Sequence, residues 1–412
     1  MVKKGYKQTE VGVVPKEWSV MTLRDIADFL GGGTPSKSIA EYWNGDIPWI
    51  SSSDISLNSV HGLNITRYIT GQAVKESSTQ LCPRNAILIV TRVGVGKIAI
   101  APTNICTSQD FTNIVLRQDN VEYVARALQP VFYCMSNETQ GTSIKGVTTD
   151  EVKNTSIALP PIKEQEQIAT VLSEIDELIS LTEKQISKKK AIKQGAMQEL
   201  LTGKRRLPGF SGEWETRTLH EISNEMVDGP FGSNLKTEHY TTERQVRIIQ
   251  ISNIGEAGWN NANVKYTTFI HAAELQRCIV QPGSILIAKM MPAGRAIICP
   301  DNEKSYILGS DVVKVVPNSS VDSRYLVYAT KSRFYLDQIA DDTQGSTRAR
   351  TSVSKLRKTA ILFPEKDEQI AIADILSEMD MEIAALEGKI AKYRQIKQGM
   401  MQQLLTGKIR LV

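Results

Sequence analysis

The side chains best suited to chemistry in this sequence lie on glycine-bearing polar stretches. In the first half, "GGGTPSK", "TRVGVGK" and "TQGTSIK" carry Lys37, Arg92, Lys97, Gln140 and Lys145. In the second half, "DGPFGSNLK", "AKMMPAGR" and "TQGSTRAR" carry Asn234, Lys236, Lys289, Arg295, Gln344, Arg348 and Arg350. Arg and Lys contact phosphate and the guanine edge, Asn and Gln pair with adenine, and glycine lets backbone N–H groups come close to a phosphate. The chemistry these residue types offer is recognition of a nucleic acid, although for each residue taken alone an ordinary surface turn is the better reading. Three further basic clusters, "SKKKAIK", "GKRR" and "TRARTSVSKLRK", read either as polyanion contacts or as solvated helix faces.

Bond-making chemistry is harder to assemble. A phosphate-cradling loop needs G-x-x-x-x-G-K-[ST], and both "RVGVGKI" and "TGKR" break that pattern. "LGGGTP" lacks the glycine spacing of a dinucleotide fingerprint, and "PDNEK" places its acidic residues too close in sequence for a two-strand metal nuclease core. His61, His220, His239 and His271 have no spacing suited to zinc, and no N-P-P-[FY] tetrapeptide is present. No catalytic residue and no metal ligand is therefore assigned.

The elements that would position the polar stretches follow from an internal repeat. Laid over itself at an offset of 204, the segment from Glu164 matches the segment from Glu368 at 25 of 44 positions, more than shared helix composition alone produces. In both copies apolar residues recur in alternating steps of four and three, which is the seam of a coiled coil. The first seam is Ile168, Leu172, Ile175, Ile179 and Ile186; the second is Ile372, Leu376, Met379, Ile383, Leu386 and Ile390. Pro160, Pro161 and Pro364 stand before the helices and Gly203 and Gly407 after them, as start and stop signals require. About forty residues at ~1.5 Å each predict rods of roughly 60 Å. Each rod leaves an apolar stripe wet unless the other covers it, so the two are expected to pair as an antiparallel coiled coil. The remaining segments, with short β-branched runs such as "AILIV" and "SILIA", repeat more weakly and predict two related globules. The fold class expected is α+β: two mixed α/β globules separated by two long helices, with a pseudo-two-fold internal repeat. The expected domains are 1–162, 163–207 (helix), 208–366 and 367–412 (helix).

The bulk numbers agree. A length of 412 residues suggests two or three domains. A net charge of +4 leaves polyanion binding to local clusters, and five scattered cysteines suggest small buried residues in a reducing cytoplasm. No apolar run is long enough for a membrane span.

The order of globule, "LPPIKEQEQIA…LLTGK" rod, globule and "EQIAIADIL…LLTGK" rod resembles the specificity subunit of Type I restriction-modification systems over essentially the whole chain. The resemblance implies two target recognition domains, each reading one half of a bipartite double-stranded DNA site, with the helices as spacer and as dock for two modification subunits. Those partners would hold S-adenosylmethionine and methylate adenine N6; added restriction subunits would use ATP and Mg, and the chain itself would need no cofactor. The resemblance does not fix the base-reading residues, so the twelve named above remain the candidates. The alternatives are a coiled-coil adaptor that binds no DNA, and a self-contained DNA methyltransferase or nuclease with an unrecognised site.

Overall fold

A computed structural model describes residues 4–57, 59–138, 146–290, 292–343 and 350–411. The chain divides into two compact units, one of residues 1–183 with 388–412 and one of residues 184–387. The division falls inside both long helices, so each unit holds one globule, the start of one helix and the end of the other. The reason lies in the packing: each helix start is built into its own globule, and the end of the other helix lies along it.

In the first unit the strands Ala27–Gly31, Phe111–Leu116, Ile87–Val90 and Ile98–Ile100 form an antiparallel sheet in that order. A second sheet orders Arg67–Ile69, Ile47–Ile50, Ile105–Thr107 and Leu81–Cys82, with Ile47–Ile50 and Ile105–Thr107 parallel. The run Ile87–Val90 is buried throughout because both of its faces are covered, which is why it reads as a continuous apolar stretch. The second unit repeats the plan. Ser223–Asp228, Val312–Pro317, Ile285–Ala288 and Ala296–Ile298 form the first sheet, and the second contains the parallel pair Val246–Ile249 and Tyr306–Leu308. In each unit a strand near the start of the globule pairs with one near its end: Ser19–Thr22 with Ser156–Leu159, and Glu215–Thr218 with Ala360–Phe363. These pairs bring the globule's two ends together beside the helix that follows.

The helices are Ile162–Leu200 and Lys366–Leu404, 39 residues each. They start just after the prolines and end before Gly203 and Gly407, which take the left-handed φ of +68° and +67° that closes a helix. Within the first unit Lys397 pairs with Asp176 at 2.6 Å and Arg394 with Glu183 at 2.8 Å. Within the second unit Lys189 pairs with Glu382 at 2.6 Å, and Lys193 pairs with Asp380. In both, residue numbers rise on one helix as they fall on the other, so the pairing is antiparallel. Three of the four lysines of "SKKKAIK" are thus committed: Lys189, Lys190 and Lys193 bind acids of the facing helix, and Lys188 stays exposed.

The seam has a finer structure than its spacing suggests. Ile168 and Leu172 belong to the core of the first globule, with Leu404 from the other helix; Ile372 and Leu376 belong to the core of the second, with Leu200 and Leu201. Ile175, Ile383 and Ile390 are buried, whereas Ile179, Ile186, Met379 and Leu386 are half-buried. Two helices cover only one flank of each other, so Leu178, Leu181, Ile192, Met381 and Ile396 remain exposed.

Each helix start is locked by the segment that follows the end of the other. Glu164, 2% exposed, accepts the Trp18 indole N–H at 3.1 Å and two bonds from the Arg410 guanidinium at 2.6 and 2.8 Å. Glu368, fully buried, accepts the Trp214 indole at 3.2 Å and two bonds from Arg206, both at 2.7 Å. Both arginines are held above the ordinary guanidinium range, chiefly by these hydrogen bonds to glutamate. The next residues repeat as well: Gln165 bonds the Asn120 backbone and the Pro160 carbonyl, and Gln369 bonds the Asp322 backbone and the Pro364 carbonyl. Arg206, which read as part of a basic cluster, therefore serves the fold.

Of the five cysteines, Cys82, Cys106, Cys278 and Cys299 are buried as expected, and burial pushes Cys82 and Cys299 up to about 12. Cys134 departs from the expectation and is exposed, because it lies on the outer side of the helix Val121–Glu138.

Candidate nucleic-acid interface

In each globule one polar stretch follows the strand Ala27–Gly31 or Ser223–Asp228, a second joins Ile87–Val90 to Ile98–Ile100 or Ile285–Ala288 to Ala296–Ile298, and both leave the first sheet at the same end. In the first unit Thr91 N–H donates to the Asp110 carbonyl at 2.8 Å, Val147 N–H to the Thr91 carbonyl at 2.7 Å, and Gly33 N–H to the Thr107 carbonyl at 2.8 Å. In the second, Lys289 N–H donates to the Asp311 carbonyl at 2.9 Å, Thr351 N–H to the Lys289 carbonyl at 2.8 Å, and Gly229 N–H to the Val312 carbonyl at 2.9 Å. The first two contacts recur in the same way in both globules; the third differs, since Gly33 bonds the end of the second-sheet strand Ile105–Thr107 whereas Gly229 bonds Val312 of the first sheet. Glycine is required where they touch: a Cβ on Gly32 would lie 1.8 Å from the Ser108 carbonyl oxygen, and one on Gly229 would lie 1.9 Å from that of Gly309.

The side chains on these matching frames differ. In the first globule Lys37 and Arg92 are exposed, and neither forms an ion pair among the described residues. Lys97 is half-buried and donates to the Ser52 carbonyl at 2.9 Å, which holds the loop rather than offering a charge to solvent. In the second globule the charges answer one another. Lys289 is buried and bonded to Asp228, and Arg350 pairs with Asp311 at 2.8 Å. Arg295 is half-buried and donates to the Ile254 carbonyl at 3.3 Å. Asn234 and Lys236 are exposed, with Lys236 3.4 Å from Glu238. Gln140, Lys145, Gln344 and Arg348 lie outside the described residues.

The sequence reading missed Arg67, whose guanidinium lies 4.6 Å above the Trp49 ring and also binds Asp54 and Ser51. Its neighbours "ITRYIT" give no signal beyond a strand. It also missed Phe231, an exposed aromatic within a candidate loop. Among the described residues no group of three or more His, Cys, Asp or Glu is placed to hold a metal ion, and no helix is long and apolar enough to cross a membrane.

Two globules of one plan, each presenting loops of different chemistry and each built onto the start of a long paired helix, define a recognition scaffold. The family model described as the Type I restriction modification DNA specificity domain matches the chain twice, over residues 15–190 and 212–395. The chain belongs to that family, and as a specificity subunit it is a recognition chain rather than a catalytic one. It is 25% identical to the Type I restriction enzyme MjaIX specificity subunit of Methanocaldococcus jannaschii, covering 98% of this chain and 96% of that protein. It is 33% identical to the EcoR124I/EcoR124II specificity subunit of Escherichia coli, over 43% of this chain and 44% of that one. A Type I restriction-modification system S subunit from M. genitalium shares the fold, with a TM-score of 0.60 at 15% identity, over 94% of this chain and 96% of that structure.

Proposed function

We propose that this chain is the DNA-reading subunit of a Type I restriction-modification complex in the cytoplasm, with each globule reading one half of a bipartite double-stranded target. The observation that carries this reading is the duplicated loop frame with unlike side chains. Equal frames present loops in equal geometry, and unlike side chains give each frame its own base preference. The paired helices would set the number of unspecified base pairs between the half-sites. Adenine N6 methylation would be done by modification subunits holding S-adenosylmethionine, and cleavage by restriction subunits using ATP and Mg. A purified complex of the chain with its modification subunits should bind one family of duplexes, with affinity falling steeply as salt rises. Salt-insensitive binding with no preference among duplexes would contradict the reading.

For two modification subunits the chain needs two equivalent docks, and the repeated "IKQG" supplies a candidate. Ile192 and Ile396 are exposed on the helices, and three residues on, Gly195 and Gly399 have nothing within 4 Å of where a Cβ would stand. An exposed glycine inside a helix costs about 1 kcal/mol relative to alanine. Among the described residues nothing packs against either one, whereas a partner helix would gain close approach beside the isoleucine. Replacing both glycines with leucine should leave the chain folded and its thermal midpoint unchanged or raised, while native mass spectrometry finds the modification subunits lost. Retention of both subunits would place the dock elsewhere.

A further inference from the structure

We propose that Phe231 is an apolar wedge that enters the base stack of the half-site read by the second globule. The inference rests on the DNA-reading proposal and names a residue and a mode of contact within it. Phe231 is 81% exposed, the most exposed large apolar side chain among the described residues. Its backbone, in contrast, is braced. Two residues before it, Gly229 is tied to Val312 and fits against Gly309 too tightly for any side chain. The Phe231 carbonyl accepts the Asn234 N–H at 2.8 Å, closing the short turn Gly232–Asn234. The Asn234 carbonyl lies 2.9 Å from His271 Nε2, and the His271 ring stacks on His239 with centroids 4.0 Å apart.

A held backbone that displays a bare aromatic ring has lost the freedom that would let the ring fold back onto the protein. The cost of hydrating that ring is recovered only by a surface brought to it. The surface that fits is the base stack. The ring stands on one of the loops gathered at the candidate interface, next to exposed Asn234 and Lys236, which suit a base edge and a phosphate. Apolar side chains inserted at a base step unstack it and kink the duplex. In the first globule the matching position, two residues beyond the glycine that packs on Ser108, is Thr34, which bonds Gln109. The wedge therefore belongs to one half-site only.

The test uses the chain with its modification subunits, and target duplexes carrying 2-aminopurine at successive positions of each half-site. Apart from the adenine that each modification subunit extrudes to methylate it, wild type should raise the fluorescence at one further step of the half-site read by the second globule and at no further step of the other. Phe231→Ala should abolish that rise and weaken binding roughly tenfold, the scale of one base–aromatic stack. Phe231→Trp should keep both. If Phe231→Ala leaves fluorescence and affinity unchanged while the complex still selects its site, the wedge is wrong and the DNA-reading proposal stands. If wild type selects no site, the reading beneath it fails. Ile270 is also exposed, on the helix that carries His271. If Phe231→Ala and Ile270→Ser both release a protein subunit without changing the 2-aminopurine signal, the face is a protein dock and the wedge is overturned.

Discussion

Removing residues 184–187 together with 388–391 is expected to shorten the unspecified spacer of the DNA target while leaving both half-sites unchanged. The two deletions fall between ladders of ion pairs. On the first helix they lie after Asp176 and Glu183 and before Lys189 and Lys193; on the second they lie after Asp380 and Glu382 and before Arg394 and Lys397. Each removes one seam residue, Ile186 from one helix and Ile390 from the other. Four residues make about one helical turn, so the remaining seam keeps its facing and each helix loses ~6 Å of length. With ~3.4 Å per base pair the spacer should lose roughly one to two base pairs. Deletion from one helix only should instead set the ladders out of register and cost stability. Mapping of the modified sites checks the result: altered letters within a half-site, at unchanged spacing, would show that the helices do not set the distance.

The second large effect is expected at the junction of Glu164, Arg410 and Trp18. Glu164→Ala should destabilise the first unit by about 3–5 kcal/mol, because breaking a buried pair leaves its partners unanswered. The Trp18 indole N–H would lose its acceptor inside the core, and Arg410 would lose two of its bonds. Glu164→Ala combined with Arg410→Met should cost less than the sum of the two single changes, since both partners then go together. Denaturant unfolding of the four proteins measures this coupling. A cost below about 1 kcal/mol for Glu164→Ala would mean that the junction is an ordinary surface pair.

Much of this architecture was legible because long helices announce themselves. The period of the two seams, the prolines before them and the glycines after them gave both helices and their antiparallel pairing. Strand positions came through where a run is buried on both faces, as at Ile87–Val90. The tie of each helix start to the far end of the other was not legible. Glu164 and Arg410 are 246 residues apart, and a lone acidic residue in a first helical turn reads as dipole compensation. For the same reason Arg206 reads as one more basic residue, because the Glu368 it meets in the fold is 162 residues away.

The candidate interface divides in the same way. The loops themselves could be picked from their glycines, because glycine at a close backbone approach is a local requirement, as Gly32 and Gly229 illustrate. Which basic side chains stay available to a ligand depends on distant acids. Lys289 and Arg350 are answered by Asp228 and Asp311, whereas Lys37 and Arg92 are exposed without such a partner among the described residues. Counting charges within a stretch cannot separate the two cases.

The most direct measurement of the central claim is genome-wide mapping of methylated adenines in cells that carry this chain with its modification subunits, compared with cells that lack the chain. Two short defined blocks separated by a fixed number of unspecified bases, present only with the chain, is the result predicted. A single contiguous block, or a methylation pattern indifferent to the chain, would contradict it.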